Sequence, residues 1–187
     1  MQVLTDAELV QDVRNGNRQA FTELMRRYQE RVYWTARRIV GGHDDAEDVA
    51  QETFVRAYLN LGEFRAESAF FTWLYRIAVN LSLNHLRKRQ VVQYLRESDL
   101  LSRFIAAGET PSAAFEFKET EGRLHAAVQR LPERQKAVFV LRFFDGLSYD
   151  EIAEILKTSV GGLKANYFHA LRKIREAMKD EVPQDNL

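Results

Sequence analysis

Residues 131–178 read LPERQKAVFVLRFFDGLSYDEIAEILKTSVGGLKANYFHALRKIREAM, and their punctuation divides them into three helices, the last two arranged as a helix-turn-helix. Pro132 suits a first helical turn, where its missing N–H costs nothing. Asp145-Gly146 breaks the pattern. Ser148 with Glu151 three residues on makes a capping box ahead of Ile152, Ile155 and Leu156, and Lys157-Thr158-Ser159 is left as a short turn. Along the final helix Val160, Leu163, Tyr167, Leu171, Ile174 and Met178 recur at three- and four-residue steps, which predicts its packed face. His169, Arg172 and Lys173 fall roughly opposite and are expected to face out, toward DNA.

Outward from this stretch, the 27 basic and 27 acidic residues cancel over the chain but not along it. Residues 157–179 hold six Lys/Arg against one Glu, and residues 64–96 hold six against one again, whereas residues 1–63 and 97–121 are net acidic. Two separate basic segments are the electrostatic footprint of nucleic-acid binding, despite a neutral total. The acidic remainder is available to another partner.

With 187 residues, 45% of them apolar, the chain has room for one large or two small packed domains. It has no cysteine, hence neither disulfides nor thiolate metal sites, which fits a reducing compartment. MQVLTDAELVQDV lacks a basic region followed by an apolar run, and no stretch of 18 apolar residues occurs. A soluble, cytoplasmic protein is expected.

Helical patterns fill most of the rest. Thr5 and Glu8 form a capping box, with Leu4 and Leu9 as a staple, and Gly16 ends that helix. Phe21, Leu24, Tyr28, Val32, Ala36 and Ile39 stripe a second helix, stopped by Gly41-Gly42. A third starts near Asp44 or Asp45 and packs through Val49, Phe54, Ala57 and Leu61. A fourth runs from about Ser68 to Arg89, burying Leu74, Ile77, Ala78 and Leu81. GETPSAAF (108–115) is the strongest breaker cluster. The expected fold is therefore all-α: two small helical domains, 1–92 and 117–181, joined by a flexible linker over 93–116. Such a connector spans at most ~90 Å at ~3.3–3.6 Å per residue, so two DNA sites more than one ~34 Å turn apart are within reach.

The segment FRAESAFFTWLYRIAVNLSLNHLRKR (64–89) is unlike an ordinary core helix, because its non-core side is aromatic, basic and amide-bearing. Trp73, Arg76, Asn80 and Arg87 share one side, while Leu74, Ile77 and Leu81 pack on another. Exposed aromatics stack on unpaired bases for ~1–3 kcal/mol each, and neighbouring cations hold the backbone. The Phe64–Phe71 loop is placed to receive an extruded base. An alternative stands beside this: Phe70, Phe71 and Trp73 are core residues and the arginines are merely solvated.

Three segments together, DDAEDVAQETFVRAY (44–58), FRAESAFFTWLYRIAVN (64–80) and LPERQKAVFVLRFFDGLSYDEIAEIL (131–156), resemble the extracytoplasmic-function sigma factors, which direct bacterial RNA polymerase to promoters. The resemblance covers nearly the whole chain. It implies an N-terminal domain that holds the clamp helices of core polymerase and opens the −10 element. It implies a C-terminal helix-turn-helix domain that reads the −35 element and touches the polymerase flap. Carried over by position, Asp45, Glu47, Asp48, Gln51 and Glu52 belong to the clamp-contacting segment. Phe64, Phe71, Trp73, Arg76, Asn80 and Arg87 become the −10 set, and Gly161, Gly162, Lys164, Ala165, Asn166, His169, Arg172 and Lys173 the −35 set. A chain that acts as one copy per polymerase is expected to be a monomer when free. The resemblance also implies an anti-sigma factor as a further partner.

Other readings compete at particular residues. Acidic groups near a helix N-terminus stabilise it by ~0.3–1 kcal/mol each, which accounts for Asp44 and Asp45 without any partner. A di-metal carboxylate site would want Glu-x-x-His pairs, which are missing, and His43, His85, His125 and His169 have no two-ligand helical spacing. No phosphate loop, nucleophile elbow or triad precursor appears, so no catalysis, cofactor or small-molecule substrate is expected. The recognition helix, SVGGLKANYFHALRK, departs from many relatives in carrying Gly162, Ala165, Asn166 and His169 where hydroxyl or Arg side chains are common. Two adjacent glycines cost a helix ~0.8–1.0 kcal/mol apiece against Ala unless they permit close approach, so backbone amides, Lys164 and DNA shape are expected to matter there. Two rival functions remain. A helix-turn-helix regulator would pair to read symmetric half-sites, and an all-α metal hydrolase using the 44–52 carboxylates would carry metal.

Overall fold

A computed structural model describes residues 4–65, 68–98 and 116–179, and every regular element among them is helical. The all-α expectation holds. α1 (Asp6–Arg14) opens on the Thr5/Glu8 capping box, and α2 (Arg18–Val40) opens on Asn17, whose side chain accepts from the Gln19 N–H. α3 (His43–Leu59) starts earlier than the acidic pair suggested, because Gly42 supplies an extended N-cap with no side-chain bond. A single tight turn, Leu61–Glu63, leads toward α4 (Phe70–Ser98), which continues into the stretch assigned to the connector. The GETPSAAF cluster lies outside the described residues.

α5 (Glu116–Gln129), α6 (Glu133–Phe139), α7 (Tyr149–Leu156) and α8 (Val160–Lys179) form the C-terminal unit. Between α6 and α7 the backbone widens into a π turn over Val140–Phe144, closed by Asp145 N–H donating to Val140 C=O at 3.2 Å. The Ser148/Glu151 capping box starts α7, and Lys157, in the left-handed conformation at φ 52°, ends it before the short turn into α8. On α8 the buried residues are Leu163, Ala170 and Ile174, while Leu171 is exposed. At ~100° per residue, a position seven beyond Leu163 returns to within ~20° of it and one eight beyond overshoots by ~80°. Ala170, not Leu171, therefore continues the stripe.

In the N-terminal unit α2 packs against α1, α3 and α4; in the C-terminal unit α6, α7 and α5 pack against α8. The two units also touch. Thr35 Oγ1 donates to Asp145 Oδ2 at 2.8 Å, Gln129 Nε2 to Arg38 C=O at 2.7 Å, and Arg76 Nε to Glu154 C=O at 3.2 Å. Arg87 Nε sits 3.2 Å from Glu133 Oε2. Gln129 Oε1 also accepts from the buried Lys136 ammonium at 3.1 Å, and desolvation holds that amine below its ordinary range.

Candidate functional site

α4 carries the first basic face. Arg76 is half-buried and Asn80 and Arg87 are exposed, so the three project from one side of a helix whose other side buries Leu74, Ala78 and Leu81. The aromatics divide. Phe64 and Phe70 are buried, and Trp73 is half-buried between them, with ring centroids 5.3 and 5.8 Å away. Arg14 fixes the loop by donating to the carbonyls of Leu61 and Phe64. Phe71 is half-buried, 4.3 Å from the Tyr75 ring and beneath the Arg31 guanidinium at 4.9 Å. Core packing thus accounts for Phe64 and Phe70, while Trp73 and Phe71 keep one accessible side each.

The second basic face is on α8. Gly161, Lys164, Ala165, His169, Arg172 and Lys173 are all exposed. A Cβ built at Gly161 meets nothing within 4 Å, so packing within the fold does not require a glycine there. The Gly162 N–H is satisfied by Ser159 Oγ at 3.3 Å, and the Asn166 amide turns back to Gly162 C=O at 2.8 Å. Arg172 has Glu176 at 3.9 Å, an exposed pair of little energetic weight.

The acidic residues of α3 are mostly engaged within the fold. Asp45 is tied to α4 through His85 at 3.2 Å and Arg89 at 3.7 Å, Glu47 to His43 at 3.5 Å, and Glu52 to Arg56 Nε at 2.9 Å. Asp48 and Gln51 point to solvent. Among the described residues no three His, Asp or Glu side chains gather in a way that would hold a metal ion.

The same helix presents something the sequence reading passed over. Val55, Tyr58 and Leu59 are 56%, 41% and 73% exposed, and with Phe21, Met25 and Phe54 they line an open groove of about 830 Å³ between α2 and α3, rimmed by Glu47 and Gln51. The sequence carried a signal. These three apolar residues lie off the Val49–Phe54–Ala57–Leu61 stripe and make a second apolar face, one more than a surface helix needs.

Among the described residues no helix is long and apolar enough to cross a membrane. The profile of Sigma-70 region 2 matches residues 24–91, which span α3 and most of α2 and α4, and that of Sigma-70, region 4 matches residues 121–174. The RNA polymerase sigma-H factor of Pseudomonas aeruginosa is 36% identical over 185 residues, with 93% of this chain and 94% of that protein covered. The ECF RNA polymerase sigma factor SigW of Bacillus subtilis is 33% identical over 178 residues, covering 91% and 95%. The ECF RNA polymerase sigma-E factor of Escherichia coli is 37% identical over 186 residues, covering 96% and 95%. Among solved structures, CnrH in complex with the cytosolic domain of CnrY superposes with a TM-score of 0.71 at 24% identity, over 95% of this chain and 99% of CnrH, a likeness of fold.

Proposed function

The chain belongs to the extracytoplasmic-function sigma factors, which recognise promoters for transcription initiation, and we propose that its two basic faces and its apolar groove divide that work. The α2/α3 groove takes the clamp helices of core polymerase. A helix laid there buries Val55, Tyr58 and Leu59, and Glu47, Asp48 and Gln51 at the margin meet its polar edge. This shifts the centre of the contact from the carboxylates to the apolar strip, since Asp45 and Glu52 already have partners inside the fold.

On this proposal Arg76, Asn80 and Arg87 hold the opened −10 strand, and Trp73 and Phe71 offer their accessible sides to its bases. Phe64 supports Trp73 from below. α8 reads −35 through Lys164, Ala165, Asn166 and His169, with Gly161 and Gly162 admitting the phosphate backbone and Arg172 and Lys173 gripping it. Residues 1–92 and 117–181 act as separate units on the two elements, with 93–116 between them. The protein is a non-catalytic initiation factor, monomeric when free, working in the cytoplasm where polymerase and promoters are. CnrH is found with the cytosolic domain of CnrY, which supports an anti-sigma partner for this chain too.

The observation that carries this reading is the set of three surfaces: a basic face flanked by Trp73 and Phe71 on α4, a second basic face on α8, and an apolar groove between α2 and α3. The test is reconstitution with core RNA polymerase, followed by run-off transcription from templates bearing −35 and −10 elements. Co-elution with core and template-dependent transcripts are expected. Core that elutes alone, or holoenzyme that leaves every promoter template closed, overturns the reading.

A further inference from the structure

α1 lies outside residues 24–91, the span of the region 2 match, yet it makes two polar ties toward the aromatic cluster at the head of α4. The first is Arg14. A cation in the last turn of a helix needs no tertiary partner, since the helix dipole already favours it there. The Arg14 guanidinium nevertheless crosses to the turn that follows α3. Its Nη2 and Nε donate to Leu61 C=O at 3.1 and 3.4 Å, and Nη2 donates to Phe64 C=O as well. One planar group therefore holds two carbonyls three residues apart, and with them the turn that carries the Phe64 ring. That ring is buried 5.3 Å from Trp73 and 5.9 Å from Phe70.

The second tie comes from the other end of α1. Asp6 accepts from Arg27 Nη1 at 2.9 Å and from the Tyr28 hydroxyl. The Tyr28 ring in turn stands 5.8 Å from Phe70 and 6.2 Å from Phe71. Leu9 and Val10 seat α1 itself in the core, so its polar ties act on what lies beyond the helix.

We infer that Arg14 is a positioning residue for strand capture: by clamping the Leu61–Phe64 turn it sets the Phe64 ring and, through that ring, the accessible side that Trp73 offers to an unpaired base. The clamp rests on the geometry of α1 and the turn alone, whereas its bearing on DNA rests on the −10 role proposed above for Trp73. A guanidinium suits the task because its N–H groups sit in a rigid plane and serve two acceptors at once, which an ammonium on a flexible stem does not. A ring already set in place binds at a smaller ordering cost than one that must be set on contact. Strand capture thus depends on a helix that need not touch the strand.

Arg14 is an exposed residue, so replacing it should spare the fold. The chain has two tryptophans, and Trp34→Phe leaves Trp73 as the sole indole emitter of the full-length protein. In that background Arg14→Ala should raise acrylamide quenching of Trp73 in the free chain and leave affinity for core polymerase unchanged. In the holoenzyme it should lower permanganate reactivity of −10 thymines about fivefold, the lower end of what one stacked base is worth. Arg14→Lys should recover part of both effects. Unchanged Trp73 quenching in Arg14→Ala overturns the clamp. So does full recovery of opening by Arg14→Lys together with a smaller salt slope in Arg14→Ala, which would make Arg14 a phosphate contact. Raised quenching with undiminished opening overturns the link to the strand. A fall in helix content by circular dichroism would make Arg14 part of the fold and overturn its assignment as a positioning residue. Failure of the unsubstituted chain to bind core or open any template would sink the proposed function and leave the Trp73 quenching result standing.

Discussion

Leu59→Ala tests the apolar groove most sharply, because the side chain contributes little to the fold and much to any partner laid over α3. Leu59 is 73% exposed, so about three-quarters of its surface remains to be buried. Burying a whole Leu side chain is worth ~1.5–3 kcal/mol, and the fraction still open, less the Cβ that Ala retains, leaves about 1–1.5 kcal/mol for the complex. That is about a tenfold rise in Kd, since ~1.4 kcal/mol corresponds to a factor of ten. Val55→Ala, with a smaller side chain at 56% exposure, should cost about half as much, on the order of threefold. The assay is a fluorescence-anisotropy titration of labelled chain with core polymerase, with thermal unfolding of the free variants in parallel. Substitution at an exposed position should change stability by no more than about 0.5 kcal/mol. Unchanged core affinity in the Val55→Ala, Leu59→Ala double variant would refute the groove as the docking site and return the contact to Asp48 and Gln51.

Three further outcomes are expected. Arg172→Ala with Lys173→Ala should reduce the slope of log K against log salt for duplex binding by up to about two, at ~0.9 per phosphate contact, in an electrophoretic titration across salt; an unchanged slope places the duplex face elsewhere. Asn80→Ala should leave core affinity intact and lower permanganate reactivity of promoter thymines, with partial rescue on a premelted template because unstacking costs a few kcal/mol; Trp73→Ala should do the same and also lose ~2 kcal/mol of stability, since its half-buried ring packs on Phe64 and Phe70. The Thr35–Asp145 junction should close further as pH falls from 8 to 5.5, read as the separation of spin labels carried by Thr22→Cys on α2 and Ala126→Cys on α5 of the full chain. Asp145 is met by Arg31 and Arg38, with Glu30 beside them, from α2 and by Tyr75 from α4. Its pKa is about 6 when closed against an ordinary value of 3.8, so closure is penalised as pH rises from about 4 through 6 and the penalty is full above that. A separation independent of pH contradicts this, and Asp145→Asn should abolish the dependence.

What the sequence made legible was local. The capping boxes at Thr5/Glu8 and Ser148/Glu151 each need only two residues three apart, and both form as read. The segregation of basic residues onto α4 and α8 also survives folding, because charge on a solvated helix face has nowhere else to go. What stayed hidden depends on pairs far apart in the chain. Asp45 looked like a free acidic group until His85 and Arg89 arrived from α4. Thr35 reads as one more polar residue on α2, and only the fold brings Asp145 to it. The π turn has no composition of its own: VLRFF is as good a sequence for an ordinary helix, and the wider hydrogen-bond register goes together with long-range contacts of Phe144 and Asp145 that no local pattern announces. The groove is a property of α2 and α3 together, so a helix-by-helix account finds excess apolar residues without finding what they enclose.

The geometry of a bipartite promoter makes an opening step necessary under the proposed function. Elements centred ~25 base pairs apart lie ~85 Å apart along the duplex at ~3.4 Å per pair, whereas in the closed chain Arg76 touches α7 at 3.2 Å. α4 is roughly 43 Å long at ~1.5 Å per residue, and the roughly 17 residues between Ser98 and Glu116 span at most ~60 Å when fully extended. Only a chain whose units have parted covers that distance. The junction must therefore be weak enough to yield when DNA and polymerase each offer their own contacts. The junction combines a few polar ties worth ~0.5–1.5 kcal/mol each, one of them through a carboxylate whose burial works against closure, with apolar contacts that join the two units in one core, and polymerase and DNA contacts must replace both.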